Sequence, residues 1–493
     1  MTKLSVLDIK EIERKGQWKY RDPEIMGVET NSVRIEKGYI FLAKAGVTTK
    51  SHGVLFSDQA FRRGASVVIT DPEGYHIALV KGLNPTIPFL LVKDLERTLN
   101  YICDHFYSNK PNFVMGITGT NGKTSVVNFC QQLIEQKNKS CVTIGTLGVG
   151  GVLSLRTEST TPDQSYILKI LHTARSMGAD YALLEVSSHS IVQRRINGVA
   201  FNVFCFTNLS QDHLDYHKDM QAYFKAKVGI LDILCLDTKI IVNIDDEYGK
   251  IFFAEAKKKG FEVETIGFSD IANVKLRVTQ GTPDIQFIEI IKGELVYRFK
   301  THLIGEFQAL NLGMALLVCE KLGFKLPDIV PSCNSLKPVP GRLELVGKTK
   351  KGALVYIDFA HTPDALKHLL ETLKALTKGE LLLVFGAGGE RDKNKRKPMG
   401  AIAHKYCGSI YVTDDNPRHE DAKSIRQQII ENCPSAVEIE DRAEAITIAI
   451  QRAQPDDIVI IAGKGHEQVQ IVRDNYFPFS DFEQASIAIE LME

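Results

Sequence analysis

Apolar runs of strand length alternate along most of the chain with longer segments whose apolar residues recur every three or four positions. Residues 113–117, 181–186, 203–206 and 239–242 read as buried strands, and so do 353–357, 381–385, 409–413 and 457–461. Helical patterns fall at 125–136, 364–376, 420–432 and 442–453. Continuous Val/Ile/Leu strands alternating with helices predict α/β architecture with mainly parallel sheets covered on both faces. In such sheets ligands bind beyond the carboxyl ends of the strands, so chemistry is expected where each apolar run gives way to polar or glycine residues.

Asn109-Lys-Pro-Asn112 precedes the first strongly apolar strand, and the Pro-rich stretch 331–341 makes a second break. Three domains are expected: a small N-terminal α/β domain over 1–108, a central nucleotide-binding domain over 109–336, and a Rossmann-like α/β domain over 337–493. The length of 493 residues suits three domains of ordinary size.

Composition narrows the function. Lys+Arg and Asp+Glu both number 60, which removes the whole-chain electrostatic reason to expect nucleic acid or an acidic membrane as partner. The nine cysteines are odd in number and never at CxxC spacing, which argues against a disulfide framework or a zinc knuckle. The first sixteen residues are charged throughout, unlike a signal peptide, and no apolar stretch is long enough to span a bilayer. A cytoplasmic monomer acting on small molecules is the expectation.

Phe113-Val-Met-Gly-Ile-Thr-Gly-Thr-Asn-Gly-Lys-Thr124 is a strand, a glycine turn and the start of a helix. Amide groups of Gly119, Thr120, Asn121 and Gly122, with the positive end of the helix dipole, would cradle phosphates. Lys123 would reach the outer phosphates, and the Thr124 hydroxyl suits Mg²⁺. Five residues separate Gly116 from Gly122, one more than in the ordinary phosphate loop. Glu185, at a strand tip in Glu-Val-Ser-Ser-His189, is a second candidate for Mg²⁺. His213 and His217 stand at i, i+4 and could share a helical face; Leu214 occupies the position of the metalloprotease Glu, which excludes that chemistry. In this setting His213 is a candidate metal-site residue. Lys227, in Tyr223-Phe-Lys-Ala-Lys227, reads as a solvated helix lysine.

Later polar turns follow strands at Asp358, at 386–391, at Asp415-Asn-Pro-Arg418 and at Gly463-Lys-Gly-His-Glu467, and are expected to line one crevice. Arg391 and Arg418 suit a carboxylate, and Glu467 an ammonium, which suggests an amino acid. Lys393, Lys395 and Lys397 read as a solvated face.

In order, GITGTNGKT, TTP, EVSSH, TNLSQDHLDYH, YFKAK, GEFQALN, PGRLE, DFAHTPDAL, GGERDKNKR, DNPR and AGKGHE resemble the Mur ligase family over about 113–467. The wider glycine spacing is the form that family uses. The resemblance implies an enzyme of peptidoglycan precursor synthesis that uses ATP to join an amino acid to a UDP-N-acetylmuramoyl peptide, through an acyl phosphate and a tetrahedral intermediate. It implies two Mg²⁺ ions, with Thr124, Glu185 and His213 as ligands and Lys227 carbamylated by CO₂ to support the second ion. It places Asn311, Arg342 and Asp358 against the nucleotide's base, phosphate and ribose. Thr160, Thr161, Ser187, Gln193 and Arg195 would surround the UDP-muramoyl peptide, with Ser159 where the family commonly has Asn and Ser32 in a loose match to the uridine loop. Arg391, Asp415, Asn416, Pro417, Arg418, Gly463 and Glu467 match the amino-acid pocket of members that add meso-diaminopimelate. Lysine-adding relatives generally lack the last arginine of DNPR. The other readings are the same ligation with L-lysine or another amino acid, a folylpolyglutamate synthetase-like ligase, and a nucleotide-regulated scaffold.

Overall fold

A computed structural model describes residues 2–46, 51–282 and 285–491. The apolar runs form strands where the sequence expects them, with ends shifted by a residue or so: Phe113–Thr118, Tyr181–Glu185, Val203–Phe206, Lys239–Asn243, Leu354–Asp358, Leu381–Phe385, Ser409–Val412 and Ile458–Ala462. The helices Lys123–Glu135, Pro363–Leu376, Ala422–Ile430 and Arg442–Arg452 occupy the periodic segments between them. The stretch after Val330, expected as an open break, is a 3-10 helix over Val330–Ser335, because a proline early in a helical turn gives up only an N–H that has no partner there anyway.

The chain divides into two compact units. One comprises Met1–Met115, Lys139–Phe201 and Asp232–Cys235; the other comprises Gly116–Asn138, Asn202–Leu231 and Leu236–Glu493.

The first unit holds a five-stranded sheet in the order Glu11–Lys15, Phe89–Val92, Val67–Thr70, Tyr39–Leu42, Gly27–Glu29. All neighbours run parallel except the first pair. Phe41, Val68, Phe89 and Leu91 form its core with Val54, Ala60 and Ala78. The same unit contains Cys141–Gly145, paired parallel to Tyr181–Glu185 and antiparallel to Gly148–Gly151.

In the second unit Val203–Phe206, Lys239–Asn243, Val263–Gly267 and Val274–Thr282 run parallel, then continue as an antiparallel meander through Ile285–Lys292 and Leu295–Thr301. Helix Glu306–Lys321 packs on Lys123–Glu135, where Cys130 Sγ lies 3.7 Å from the Ala315 carbonyl oxygen. A six-stranded sheet follows in the order Glu344–Lys348, Leu354–Asp358, Ile458–Ala462, Leu381–Phe385, Ser409–Val412, Val437–Glu438, parallel after the first strand. Both faces are covered, one by Leu366, Leu370 and Met399 and the other by Ile446, Ala449 and Ile450. Every residue of Ile458–Ala462 is buried, and each large aliphatic side chain there is worth about 1.5–3 kcal/mol. That central strand has neighbours both earlier in the chain, so strand order reverses beside it and the carboxyl ends of four strands open toward one crevice.

Candidate active site

The phosphate loop is built around two glycines at which any side chain would be strained. At Gly119 (φ +148°) a Cβ would stand 1.8 Å from Thr207 Oγ1, and at Gly122 (φ +87°) it would stand 2.5 Å from Asn311 Oδ1. Residues 207–210 hold the loop from below. Thr120 N donates to the Asn208 carbonyl at 2.9 Å, Asn121 N to Asn208 Oδ1 at 2.9 Å, and Thr207 Oγ1 to the Asn121 carbonyl at 2.7 Å. Lys123 Nζ curls back on the loop, donating to the carbonyl oxygens of Gly119 (2.9 Å) and Thr120 (2.8 Å).

Lys227 corrects its sequence reading as a solvated charge. It closes helix Met220–Val228 with 1% exposure, and its Nζ donates to the Gly119 carbonyl at 2.9 Å and stands 4.7 Å from the Tyr223 ring centre. Burial, reinforced by the Lys123 charge and opposed by Asp212, holds its amine well below the usual lysine range. The neutral amine is therefore easier to reach here than in an ordinary lysine.

His213 is also corrected. It does not share a helical face with His217, because its backbone is left-handed (φ +55°) and the helix is a single turn, Leu214–His217. His213 Nε2 lies 3.4 Å from Asp212 Oδ2 and its ring meets Tyr223 edge-on at 6.1 Å, while the buried His217 stacks on the same tyrosine at 5.0 Å. Asp212 went unassigned in the sequence. Burial would raise its pKa, but the hydrogen bond to His361 and the charges of His213, His361 and Lys395 hold it well below the carboxylate range.

A cavity of about 390 Å³ lies beside the loop, lined by Asn121, Gly122, Asn311, Arg342, Asp358 and Asp364 among others. The Arg342 guanidinium stacks on Phe359 at 4.3 Å and reaches Thr124 Oγ1 at 3.4 Å. Asp358 accepts from the amides of Leu343 and Ala360, both at 2.7 Å, and burial raises its pKa against the pull of Arg342.

The turns after the C-terminal strands converge. A Cβ on Gly388 would meet Arg418 Nη1 at 3.0 Å and Arg391 Cγ at 3.7 Å, so the two arginines flank the same glycine. Arg418 takes a left-handed backbone (φ +52°), clamped from both sides: its N–H donates to the Ile471 carbonyl at 3.1 Å and its own carbonyl accepts from Arg473 N at 2.8 Å. Burial and neighbouring Arg391 depress the Arg418 guanidinium's pKa, with Asp415 and Glu467 opposing. Gly463 (φ +112°) lies against Asp415, whose Oδ2 would be 2.8 Å from a Cβ there. Pro417 closes the loop by accepting from Glu420 N at 3.1 Å. Asn416 Nδ2 donates to Glu467 Oε2 at 2.8 Å. Burial would raise Asp415, but Lys464, Arg442, Lys395 and His361 lower it. Lys395 and His361 thus act on both Asp212 and Asp415, tying the two halves of this crevice together electrostatically.

Lys395 is the third correction. It is 4% exposed, while Lys393 and Lys397 face solvent beside Glu420 and Glu431. Successive residues of the 3-10 turn Lys393–Lys395 project about 120° apart, which sends neighbours in one basic run to different environments.

In the first unit the residues matched to the muramoyl substrate form one network. Thr161 Oγ1 donates to the Glu185 carbonyl (2.8 Å), and Ser187 N donates to Thr161 Oγ1 (3.1 Å). Arg195 Nη1 donates to the Thr161 carbonyl (2.8 Å) and to Ser159 Oγ (3.4 Å), and Arg195 Nε to Gln193 Oε1 (2.9 Å). Thr160 Oγ1 sits 3.3 Å from Thr146 Oγ1, which donates to Glu185 Oε2 at 3.0 Å. Glu185 is 1% exposed and lies against Gly145, where a Cβ would be 2.3 Å from Oε1. Ser32 is outside this network, its hydroxyl donating to Gln59 Oε1 at 2.6 Å. Arg34, unassigned in the sequence, bridges Glu29 and Asp163 at 3.3 and 2.7 Å.

Two family models match the chain, the Mur ligase middle domain over 117–319 and the Mur ligase glutamate ligase domain over 341–465. The chain belongs to the Mur ligase family. A UDP-N-acetylmuramoyl-L-alanyl-D-glutamate--2,6-diaminopimelate ligase of Caulobacter vibrioides is 38% identical to this Mur ligase over 479 residues, covering 95% of the chain and 96% of the relative. A ligase of the same name from Agrobacterium fabrum is 35% identical, over 95% and 94%. A solved structure of a ligase with that name superposes with a TM-score of 0.67 at 29% identity, covering 99% of both chains. A folylpolyglutamate synthase of Mycobacterium tuberculosis shares the fold at 20% identity and a TM-score of 0.60, over 73% and 91%. No helix among the described residues is long and apolar enough to cross a membrane.

Proposed function

We propose that this Mur ligase adds meso-diaminopimelate to UDP-N-acetylmuramoyl-L-alanyl-D-glutamate, driven by ATP. The supporting observation is the pocket in which Arg391 and Arg418 flank Gly388 while Asn416 holds Glu467. Diaminopimelate carries a second carboxylate at its far end and lysine does not. A paired arginine site suits that carboxylate, and lysine forgoes the pairing because it has no group to offer there.

A carboxylate is a poor acyl donor because its leaving group would be oxide. Transfer of the γ-phosphate onto the glutamate carboxylate gives an acyl phosphate. The amine of diaminopimelate attacks it, and the tetrahedral intermediate expels phosphate. Gly119, Thr120, Asn121 and Gly122 would cradle the phosphates, Lys123 would neutralise the transferring group, and Asn311, Arg342 and Asp358 would hold the nucleotide. Ser159, Thr160, Thr161, Ser187, Gln193 and Arg195 would orient the muramoyl peptide, with Ser32 toward the uridine. Asp415, Pro417 and Gly463 shape the amino-acid pocket. The domain assignment 1–108, 109–336 and 337–493 follows the same division of labour.

The donor set suits Mg²⁺. A hydroxyl and a carboxylate are the hard oxygen donors that Mg²⁺ takes alongside waters and phosphate oxygens. Thr124, Glu185 and His213 would hold two such ions, which supply charge neutralisation on the transferring phosphate. Lys227, whose buried amine loses its proton more readily than an ordinary lysine, would add CO₂ and become a carbamate anion beside the second ion.

The test is phosphate release from ATP. It should require the UDP-muramoyl dipeptide and meso-diaminopimelate together; release that needs neither, or that needs a pteroylglutamate, would overturn the reading.

A further inference from the structure

Lys464 lies between Gly463 and Gly465, both at positive φ, in the turn after Ile458–Ala462. Its side chain is fully buried, an expensive location for a cation unless partners surround it. They do. Nζ donates to Asn416 Oδ1 at 2.9 Å and to Glu467 Oε2 at 3.0 Å, and lies 4.0 Å from Asp415 Oδ1.

This cage settles the orientation of two pocket residues. Asn416 Oδ1 accepts from both Lys464 Nζ and Ile471 N (3.0 Å), so the amide cannot flip without losing both bonds. Its Nδ2 must then face Glu467, to which it donates at 2.8 Å. Glu467 Oε2 is committed to Asn416 and Lys464, and Oε1 is the oxygen available to an incoming ammonium.

Lys464 also sets the charge of the pocket. The fully buried Lys464 and the half-buried Arg418 both lie in the field of Asp415 and Glu467, with the exposed Arg391 next to Arg418. Lys395 adds positive field at Asp415, while Arg442 is paired with Asp481 at 2.7 Å. Diaminopimelate at neutral pH has two carboxylates and two ammoniums, whereas lysine carries a net positive charge. A net-cationic lysine entering beside Lys464 and Arg418 meets like charge that the second carboxylate of the neutral molecule offsets.

We propose that Lys464 is a positioning and specificity-determining residue, which fixes the Asn416 amide and the Glu467 carboxylate and supplies charge that discriminates against a net-cationic amino acid. The inference rests on the diaminopimelate reading of this pocket.

Lys464→Met, Lys464→Gln and Lys464→Arg are assayed with the UDP-muramoyl dipeptide and either meso-diaminopimelate or L-lysine, and ADP binding is measured as a check on folding. Loss of one buried charge should lower the kcat/KM ratio of diaminopimelate to lysine by about tenfold or more in the Met and Gln variants. ADP affinity should stay within about twofold, and the Arg variant should keep most of the preference. A merely structural lysine would weaken both amino acids equally. Should the Met variant fail to bind ADP, the Gln variant, which keeps a donor without the charge, decides the matter. A wild-type enzyme that prefers diaminopimelate, with Met and Gln variants that keep its ratio, overturns the role of Lys464 alone. A wild-type enzyme that prefers lysine overturns the underlying reading.

Discussion

Lys123 and Lys227 donate to the same acceptor, the carbonyl oxygen of Gly119, each at 2.9 Å. Two ammonium groups on one oxygen repel, and the more deeply buried of the two is the one disfavoured as a cation. Lys227 is that residue. The shared contact therefore couples the Lys123 ammonium to the protonation of Lys227, the step on which the proposed carbamylation turns.

Replacing Lys227 by Ala should lower ligase activity by about a hundredfold or more, because a charge-stabilising group at the phosphate is removed. Short carboxylic acids added to the assay should restore part of the rate by standing in for the carbamate. Full activity in the unsupplemented variant would take Lys227 out of the mechanism.

Arg418→Ala should cost diaminopimelate about a hundredfold in kcat/KM and leave ADP affinity nearly unchanged, since the guanidinium, beside Gly388, lies in the proposed amino-acid pocket. The discriminating number is the kcat/KM ratio of diaminopimelate to lysine. If it matches the wild-type ratio, the pocket assignment is wrong.

Gly119→Ala places a methyl group against Thr207 Oγ1, at a backbone angle that L-residues rarely adopt. Strain of about 1–3 kcal/mol should fall on the loop, and nucleotide affinity should drop by about tenfold or more. Titration of ADP against the variant checks this; wild-type affinity would mean that the loop rearranges without cost.

His466 is half-buried beside Arg342, and desolvation first, then that guanidinium, lowers its pKa to about 4. Its Nδ1 has no hydrogen-bond partner. The folded protein therefore keeps this imidazole neutral while the unfolded chain, with an ordinary value near 6.5, takes up a proton as pH falls. Stability should decline between about pH 6.5 and 4, by up to roughly 3 kcal/mol from this group. His466→Gln should flatten that part of the profile in denaturant titrations. An identical slope in both proteins would exclude His466 as its source.

The sequence by itself determined the alternation of strands and helices, the glycine turn of the phosphate loop and the polar tips that follow each strand. Those features are local, since the period of apolar positions and the conformational freedom of glycine act within a few residues. The ordered motifs also carried the family. Tertiary structure decided which charges are buried. Lys227, Lys395 and Lys464 have the composition of surface residues, yet each is enclosed by segments far away in the chain. His213 precedes a single helical turn with a left-handed backbone, and Tyr223, from the next helix, is what gathers its ring and that of His217. Burial of a cation depends on non-local packing and on the partners that packing brings, so neither spacing nor composition encodes it.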